Sequence, residues 1–117
     1  MISALYRFHG HNSLRYVYAN GKATRTQTIT LKTTTNDRRK YSRFSVVISK
    51  KVIKGAVGRN RIRRRLYEYI RTHTERIDGI HDVVLICTSS ELRTLPASEI
   101  NSQLDQLFAK AGLFKEA

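Results

Sequence analysis

Apolar residues recur at helical spacing in the second half of the chain. They predict a long helix over residues 57–74 and a later helix that begins at Leu95-Pro96 and ends at Gly112, because proline suits the first turn of a helix. The apolar stripe of the long helix consists of Ile62, Leu66, Tyr69 and Ile70. That of the later helix consists of Ile100, Leu104, Leu107 and Phe108.

The first half of the chain predicts one short helix and two strands, and a third strand follows the long helix. The short helix ends at Asn20-Gly21, where glycine can adopt the left-handed conformation. Threonines alternate over residues 24–31, which indicates a strand with one polar face, and residues 44–49 are rich in β-branched side chains. Residues 81–88 are almost all apolar, as in a strand buried on both faces. The apolar face of the short helix consists of Leu14, Val17 and Tyr18.

This order of elements predicts an α+β fold, in which helices pack on a sheet as a sandwich. The order is helix, strand, strand, helix, strand, helix, with an optional further strand before the long helix. The strand–helix–strand unit over residues 44–88 predicts two parallel neighbours, and such crossovers are right-handed by default. The chain of 117 residues is expected to form one domain, with flexible ends at residues 1–9 and 113–117.

Composition narrows the class of protein. Cys87 is the only cysteine, so an internal disulfide and a thiolate-rich zinc site are excluded, and its apolar neighbours predict a buried thiol. No stretch approaches the roughly 20 apolar residues of a membrane span, and the first residues do not resemble a signal peptide. A cytoplasmic protein without membrane contact is therefore expected.

The positive charge is concentrated in the middle third of the chain. The formal net charge is +13, and residues 38–76 alone hold fourteen basic and two acidic side chains. Such a region predicts salt-dependent binding to phosphates, and the planar guanidinium group suits this chemistry best. No nucleophile elbow, glycine-rich phosphate loop or pair of acids accompanies it, so we predict no catalytic residue and no metal site. The candidate RNA-binding residues are Lys50, Lys51, Arg59, Asn60, Arg61, Arg64 and Arg65.

Three segments within this region resemble the protein subunit of bacterial ribonuclease P. They are the strand and turn of residues 44–51, then Ala56-Val57, and then the motif of residues 59–64 that begins Arg-Asn-Arg. Length and element order are similar as well, and the resemblance covers residues 8–113. Two features depart from the family pattern. The loop between Lys51 and Arg59 is one residue longer, with Ile53 where glycine is common, and Tyr67 stands where a basic residue is common.

The resemblance implies the function, the partners and part of the site. Ribonuclease P is an endonuclease that removes the 5′ leader from precursor tRNA, and its RNA subunit performs the hydrolysis with Mg²⁺. The protein would bind the catalytic RNA, in a 1:1 complex, and the single-stranded leader; it would hold no cofactor and cleave nothing alone. The family also has an unusual left-handed crossover, which replaces the default above. The residues expected to line the leader cleft are Leu14, Tyr18, Ile29 and Phe44.

Other functions remain open from the sequence. A ribosomal-type protein could carry the same basic region and only hold folded RNA. A DNA-binding module could place the basic helix in a major groove, although that helix has a core-facing stripe and no dimerisation segment accompanies it. A protein nuclease would need acidic residues that the basic region lacks.

Overall fold

The computed structural model describes residues 11–36 and 40–114, with side chains from residue 14 onward. Its helices are α1 (His11–Asn20), α2 (Ala56–His73) and α3 (Ala97–Lys110). Its strands are β1 (Lys22–Arg25), β2 (Ile29–Thr35), β3 (Arg43–Ile48) and β4 (His81–Cys87). Short 3₁₀ turns span Thr74–Arg76 and Ser90–Arg93. The predicted α+β class and the three predicted helices are confirmed. The predicted flexible end at residues 1–9 lies outside the described residues.

The four strands form one sheet in the order β1-β2-β4-β3. β1 pairs with β2 and β2 pairs with β4 in antiparallel register, whereas β3 and β4 are parallel, as predicted for the unit that contains α2. Because β3 and β4 are parallel, both end at the same edge of the sheet. The chain therefore enters α2 and the 3₁₀ turn Ser90–Arg93 from neighbouring points. The left-handed path of this crossover stays a prediction of the family resemblance.

The predicted single strand over residues 24–31 is instead a hairpin. The chain reverses between β1 and β2, and the Thr26 N–H donates to the Ile29 carbonyl at 2.9 Å. The Thr26 hydroxyl also accepts from the Ile29 N–H, and the hydroxyls of Thr26 and Thr28 donate to Oε1 of Gln103 on α3. Threonine suits a strand, so the alternation concealed a turn that contains no glycine, proline or asparagine.

The main core lies between one face of the sheet and the helices α2 and α3. All four residues of each predicted helical stripe are buried in it. Tyr67 is buried too, and its hydroxyl accepts from the Val46 N–H at 3.2 Å, so this departure from the family pattern serves the core. α3 ends before Gly112, which has φ +73°. Leu113 is fully buried and Phe114 bridges to Ile77, so the predicted flexible end does not begin at residue 113.

Among residues 11–36 and 40–114, α1 is the element that covers the opposite face of the sheet, called here the open face. Val17 of α1 and Val84 of β4 are both fully buried there, with Leu14, Val47 and Ile86 packed around them. α1 ends with the Gly21 N–H donating to the Val17 carbonyl at 2.7 Å. Gly21 does not adopt the expected left-handed conformation. Glycine is needed there because a Cβ atom would lie 2.4 Å from the Val17 oxygen. Within the described ranges, no helix has the length and apolar character needed to cross a membrane.

Candidate nucleic-acid interface

The N-terminal half of α2 presents an exposed basic surface. Arg64 is exposed and has no protein partner among the described residues. It lines an open concavity of about 520 Å³ together with Val57, Asn60 and Arg63. Val57 is 83% exposed, so an apolar contact is available within the basic surface. A guanidinium beside an exposed aliphatic group suits a nucleotide, which offers phosphate charge and apolar sugar and base surface together.

Lys50 and Lys51 lie on the turn that connects β3 to α2. The Val52 and Ile53 N–H groups both donate to the Ser49 carbonyl, at 3.1 and 3.2 Å, which closes the turn. Both lysine side chains are exposed and have no protein partner in the part of the chain that the structure describes. Their ammonium groups are therefore available to phosphates.

Arg59 binds the loop that enters α2. Its Nη1 donates to the carbonyls of Ile53 and Lys54, at 3.0 and 2.7 Å. Ile53 is only 5% exposed and packs against Gly58, where an added Cβ would lie 2.9 Å from Ile53 Cγ2. The burial of Ile53 in the core and the two hydrogen bonds from Arg59 thus hold this loop in place.

Arg61 and Arg65 donate to backbone carbonyls of the segment that follows β4. Arg61 Nε donates to the Arg93 carbonyl at 3.0 Å. Arg65 Nη1 donates to the carbonyls of Leu92 and Arg93, at 2.9 and 3.0 Å, and its Nη2 donates to the Leu95 carbonyl. Burial, followed by the neighbouring charge of Arg61, lowers the pKa of the Arg65 guanidinium. These two side chains hold the fold together while they contribute charge to the surface.

The seven predicted RNA-binding residues lie on the turn after β3 and on α2, and they differ in how many side-chain donors they have free. Lys50, Lys51 and Arg64 are free to bind phosphate. Backbone carbonyls of the protein bind some or most of the side-chain donors of Arg59, Arg61 and Arg65. The Asn60 side-chain oxygen accepts from Arg63 at 3.1 Å. The sequence-based list omits Arg63 and Val57, although both lie one helical turn from Asn60.

The second predicted surface is the cleft between α1 and the open face. Tyr18 is 36% exposed, and burial raises the pKa of its phenol. Lys32 Nζ donates to the Tyr18 carbonyl at 3.2 Å and lies 5.4 Å from the centre of the Tyr18 ring. Leu14 packs beside Val17 and remains partly exposed. Both predicted residues on α1 therefore lie at the edge of this cleft.

Ile29 and Phe44 were assigned to the leader cleft from the sequence, and the structure corrects both. Each has no exposed surface and lies in the main core on the other side of the sheet. Successive residues of a strand face opposite sides, so the neighbouring positions are the ones that reach the cleft. Thr30 follows Ile29 directly, and Val47 lies three positions after Phe44, which also places it on the opposite face. The register pairs both with Ile86 on the open face. The alternation within each strand was visible in the sequence, but the face that α1 covers was not.

The turn that carries Lys50 and Lys51 follows β3 at the end of the sheet where Val47 and Ile86 pack beside α1. The pairing Thr30–Ile86–Val47 lies one residue before the end of β3 and of β4, and Lys50 follows β3 by two residues. Arg25 pairs with Thr30 and adds a positive charge to the same end of the open face. At the far end, Arg43 is neutralised by a bidentate contact with Asp82, at 2.9 and 2.8 Å.

Two further sequence-based expectations concern reactive groups. Cys87 is buried in the core, as expected. Its thiol donates to the Ser89 carbonyl at 3.2 Å, and burial raises the pKa of the thiol. Among residues 11–36 and 40–114, no three histidine, cysteine, aspartate or glutamate side chains are grouped so that they could hold a metal ion.

Comparison with known proteins gives a consistent family. A family described as Ribonuclease P matches residues 2–112 of the chain. The Ribonuclease P protein component of Clostridium kluyveri is 33% identical over 113 residues, which cover 95% of this chain and 98% of that protein. The corresponding protein of a Pseudanabaena strain is 34% identical over 96 residues, or 81% of each chain.

Solved structures show the same fold. The RNase P protein of Staphylococcus aureus superposes with a TM-score of 0.84 at 23% identity, covering 94% of this chain and 98% of that one. The RNase P protein of Thermotoga maritima gives a TM-score of 0.79 at 21% identity, covering 89% and 96%.

Proposed function

The chain belongs to the ribonuclease P protein family, and on this premise we propose that it assembles with a catalytic RNA into an endonuclease that removes the 5′ leader of precursor tRNA. Membership of this family favours that function over a ribosomal-type RNA-binding protein. The observation that carries the proposal is the position of Lys50, an exposed lysine without a protein partner among the described residues. It follows β3 by two residues, at the end of the sheet where Val47 and Ile86 pack beside α1.

The two surfaces suit two different RNA partners in a 1:1 complex. A folded RNA presents a dense array of phosphates, which the basic surface of α2 can neutralise. A single-stranded leader exposes base faces that can stack on Tyr18 and contact Leu14, Val47 and Ile86. An RNA bound on both surfaces at once would carry a leader, so this arrangement would favour precursor over mature tRNA.

The chain itself would position RNA and leave hydrolysis to the RNA subunit. Mg²⁺ would supply the activated water and the charge neutralisation within that RNA. The contribution of the protein would then be greatest at low Mg²⁺, where lysine and arginine side chains replace part of the counterions that the folded RNA and its substrate require.

Cleavage of precursor tRNA by the cognate catalytic RNA at low Mg²⁺, with and without the protein, tests this function. We expect the protein to raise the rate and to tighten precursor binding relative to mature tRNA. The double variant Lys51→Gln, Arg64→Gln should lose most of the gain, because it removes two free cations. The variant Lys22→Gln, Lys110→Gln removes two exposed charges elsewhere and should retain it.

The absence of any gain over the RNA alone would contradict the proposal. Equal binding of precursor tRNA, mature tRNA and unrelated structured RNA would instead indicate a general RNA-binding protein.

A further inference from the structure

The segment between β4 and α3 contributes an arginine to the basic surface that the Arg-Asn-Arg motif does not include. Arg93 ends the 3₁₀ turn Ser90–Arg93 and is exposed. Its side chain passes directly over Gly58 in the first turns of α2: a Cβ atom at Gly58 would lie 3.1 Å from Arg93 Cδ. Arg93 therefore lies beside the N-terminal half of α2, although 35 positions separate the two residues.

The backbone of this segment is held in place from α2. Four hydrogen bonds from Arg61 and Arg65 end on the carbonyls of Leu92, Arg93 and Leu95. The last carbonyls of a helical turn lack donors within the turn, and guanidinium groups satisfy them here. The buried Leu92 side chain anchors the same turn in the main core.

The side chains of Arg65 and Arg93 differ in how many of their N–H donors are free. Arg65 commits three hydrogen bonds to carbonyls, so it has little capacity left for an RNA phosphate. Arg93 accepts hydrogen bonds only through its backbone carbonyl, and its guanidinium has no partner among the described residues. Its five N–H donors are therefore available for bidentate contact with phosphate.

We propose that Arg93 is a further RNA-contacting residue, and that Arg65 is a positioning residue that holds the segment carrying it. The ligand is a phosphate group of the catalytic RNA. This inference rests on the proposed function and extends its interface from one helix to two segments of the chain.

The first test is the affinity of Arg93→Gln for the cognate catalytic RNA, measured at several salt concentrations. We expect about a three- to tenfold loss at physiological salt, and a salt slope lower by about 0.7–0.9. Lys110→Gln removes one exposed charge from the last turn of α3 and serves as the control, with affinity and slope near those of the wild type.

The possible outcomes distinguish a failure of the Arg93 assignment from a failure of the proposed function. One outcome is that the wild type binds the catalytic RNA and that Arg64→Gln weakens this binding but Arg93→Gln does not. That outcome would overturn the role of Arg93 and leave the proposed function standing. If the wild type does not bind the catalytic RNA, the proposed function itself fails. If Arg93→Gln weakens only the binding of leader-bearing precursor tRNA, the assignment to the catalytic RNA is wrong.

The second test addresses positioning by Arg65. Arg65→Lys keeps the charge but cannot reach three carbonyls with one planar group, so the segment should loosen. We expect a lower affinity and a shallower salt slope despite the unchanged charge, with little further loss when Arg93→Gln is added. Full additivity of the two losses, in variants shown to be folded by circular dichroism, would overturn the positioning role.

Discussion

At the scale of single residues, the arginines of α2 are not equivalent although the sequence presents them as one array. A guanidinium has five donors in a fixed plane, so it can bind a backbone carbonyl and a phosphate only where the geometry leaves donors free. Arg59 and Arg65 direct theirs to nearby carbonyls, whereas Arg64 has none engaged among the described residues. Charge counts predicted the region but not this division, because it depends on which backbone carbonyls the fold brings to each arginine: those of the adjoining loop for Arg59, and those of a segment 27 or more positions away for Arg65.

Tyr69 shows how one buried hydroxyl links stability to pH. Its hydroxyl donates to Asp105 Oδ1 at 2.5 Å, and its ring stacks on His73 with centroids 3.9 Å apart. Desolvation, followed by the hydrogen bond and charge of Asp105, raises the pKa of Tyr69 far above its ordinary value. The folded state therefore keeps the phenolic proton where the unfolded chain releases it, near pH 10. This stabilisation is complete below that pH and is lost as the pH rises.

We expect Tyr69→Phe to lower the free energy of unfolding by about 1 kcal/mol at pH 8, because it removes a partly buried hydrogen bond. Its stability should decline less than that of the wild type between pH 8 and 10.5. Urea denaturation at both pH values measures this, with Tyr16→Phe, whose side chain is 59% exposed, as the control. Parallel pH dependence in Tyr69→Phe and the wild type would contradict the assignment.

At the scale of elements, the helices follow their sequence patterns more closely than the strands do. Each helical stripe is specified locally by its own spacing, so all eight stripe residues of α2 and α3 are buried as predicted. The β1–β2 hairpin was missed because Thr26 and Gln103 supply its turn contacts across 77 positions. Such a contact has no signature in the local sequence.

The junction between α1 and β1 depends on a single close approach. We expect Gly21→Ala to destabilise the protein by about 1–3 kcal/mol, because the new Cβ must displace the Val17 carbonyl or shift α1 from the sheet. Gly55→Ala is the matched control, since no atom lies within 4 Å of its added Cβ and its backbone has φ −81°. Thermal denaturation of the two variants should separate them, and equal midpoints would show that α1 adjusts freely.

At the scale of the whole molecule, the two faces of the sheet differ in how much apolar surface they bury. The face beneath α2 and α3 holds nearly all of the core, whereas the open face buries only a small cluster beneath α1. The sequence predicted strands at residues 44–49 and 81–88 but assigned Ile29 and Phe44 to the wrong face of the sheet. Strand periodicity fixes which residues alternate; it does not fix which side receives two helices and which receives one.

Val46 and Val47 are identical side chains on opposite faces of the sheet. Substitution of each one therefore tests the difference between the two faces. Val46 is 6% exposed in the main core, whereas Val47 is half-buried beside α1. We expect Val46→Ala to cost about 1–3 kcal/mol of stability and to leave the precursor preference of the folded protein unchanged. Val47→Ala should cost less stability and reduce the preference for precursor over mature tRNA. Denaturation and competition binding measure the two effects, and a reversed pattern would place the leader elsewhere.

The hydroxyl of Tyr67 has a consequence for how copies of this chain behave toward one another. β3 ends the sheet order, so no strand of the described residues pairs with its outer side. An unpaired strand edge invites a second polypeptide to add to it, which leads to aggregation. The Tyr67 hydroxyl on α2 accepts a hydrogen bond from the Val46 N–H. This donor is therefore not available to an incoming strand. We therefore expect Tyr67 to help keep the sheet from extending between molecules.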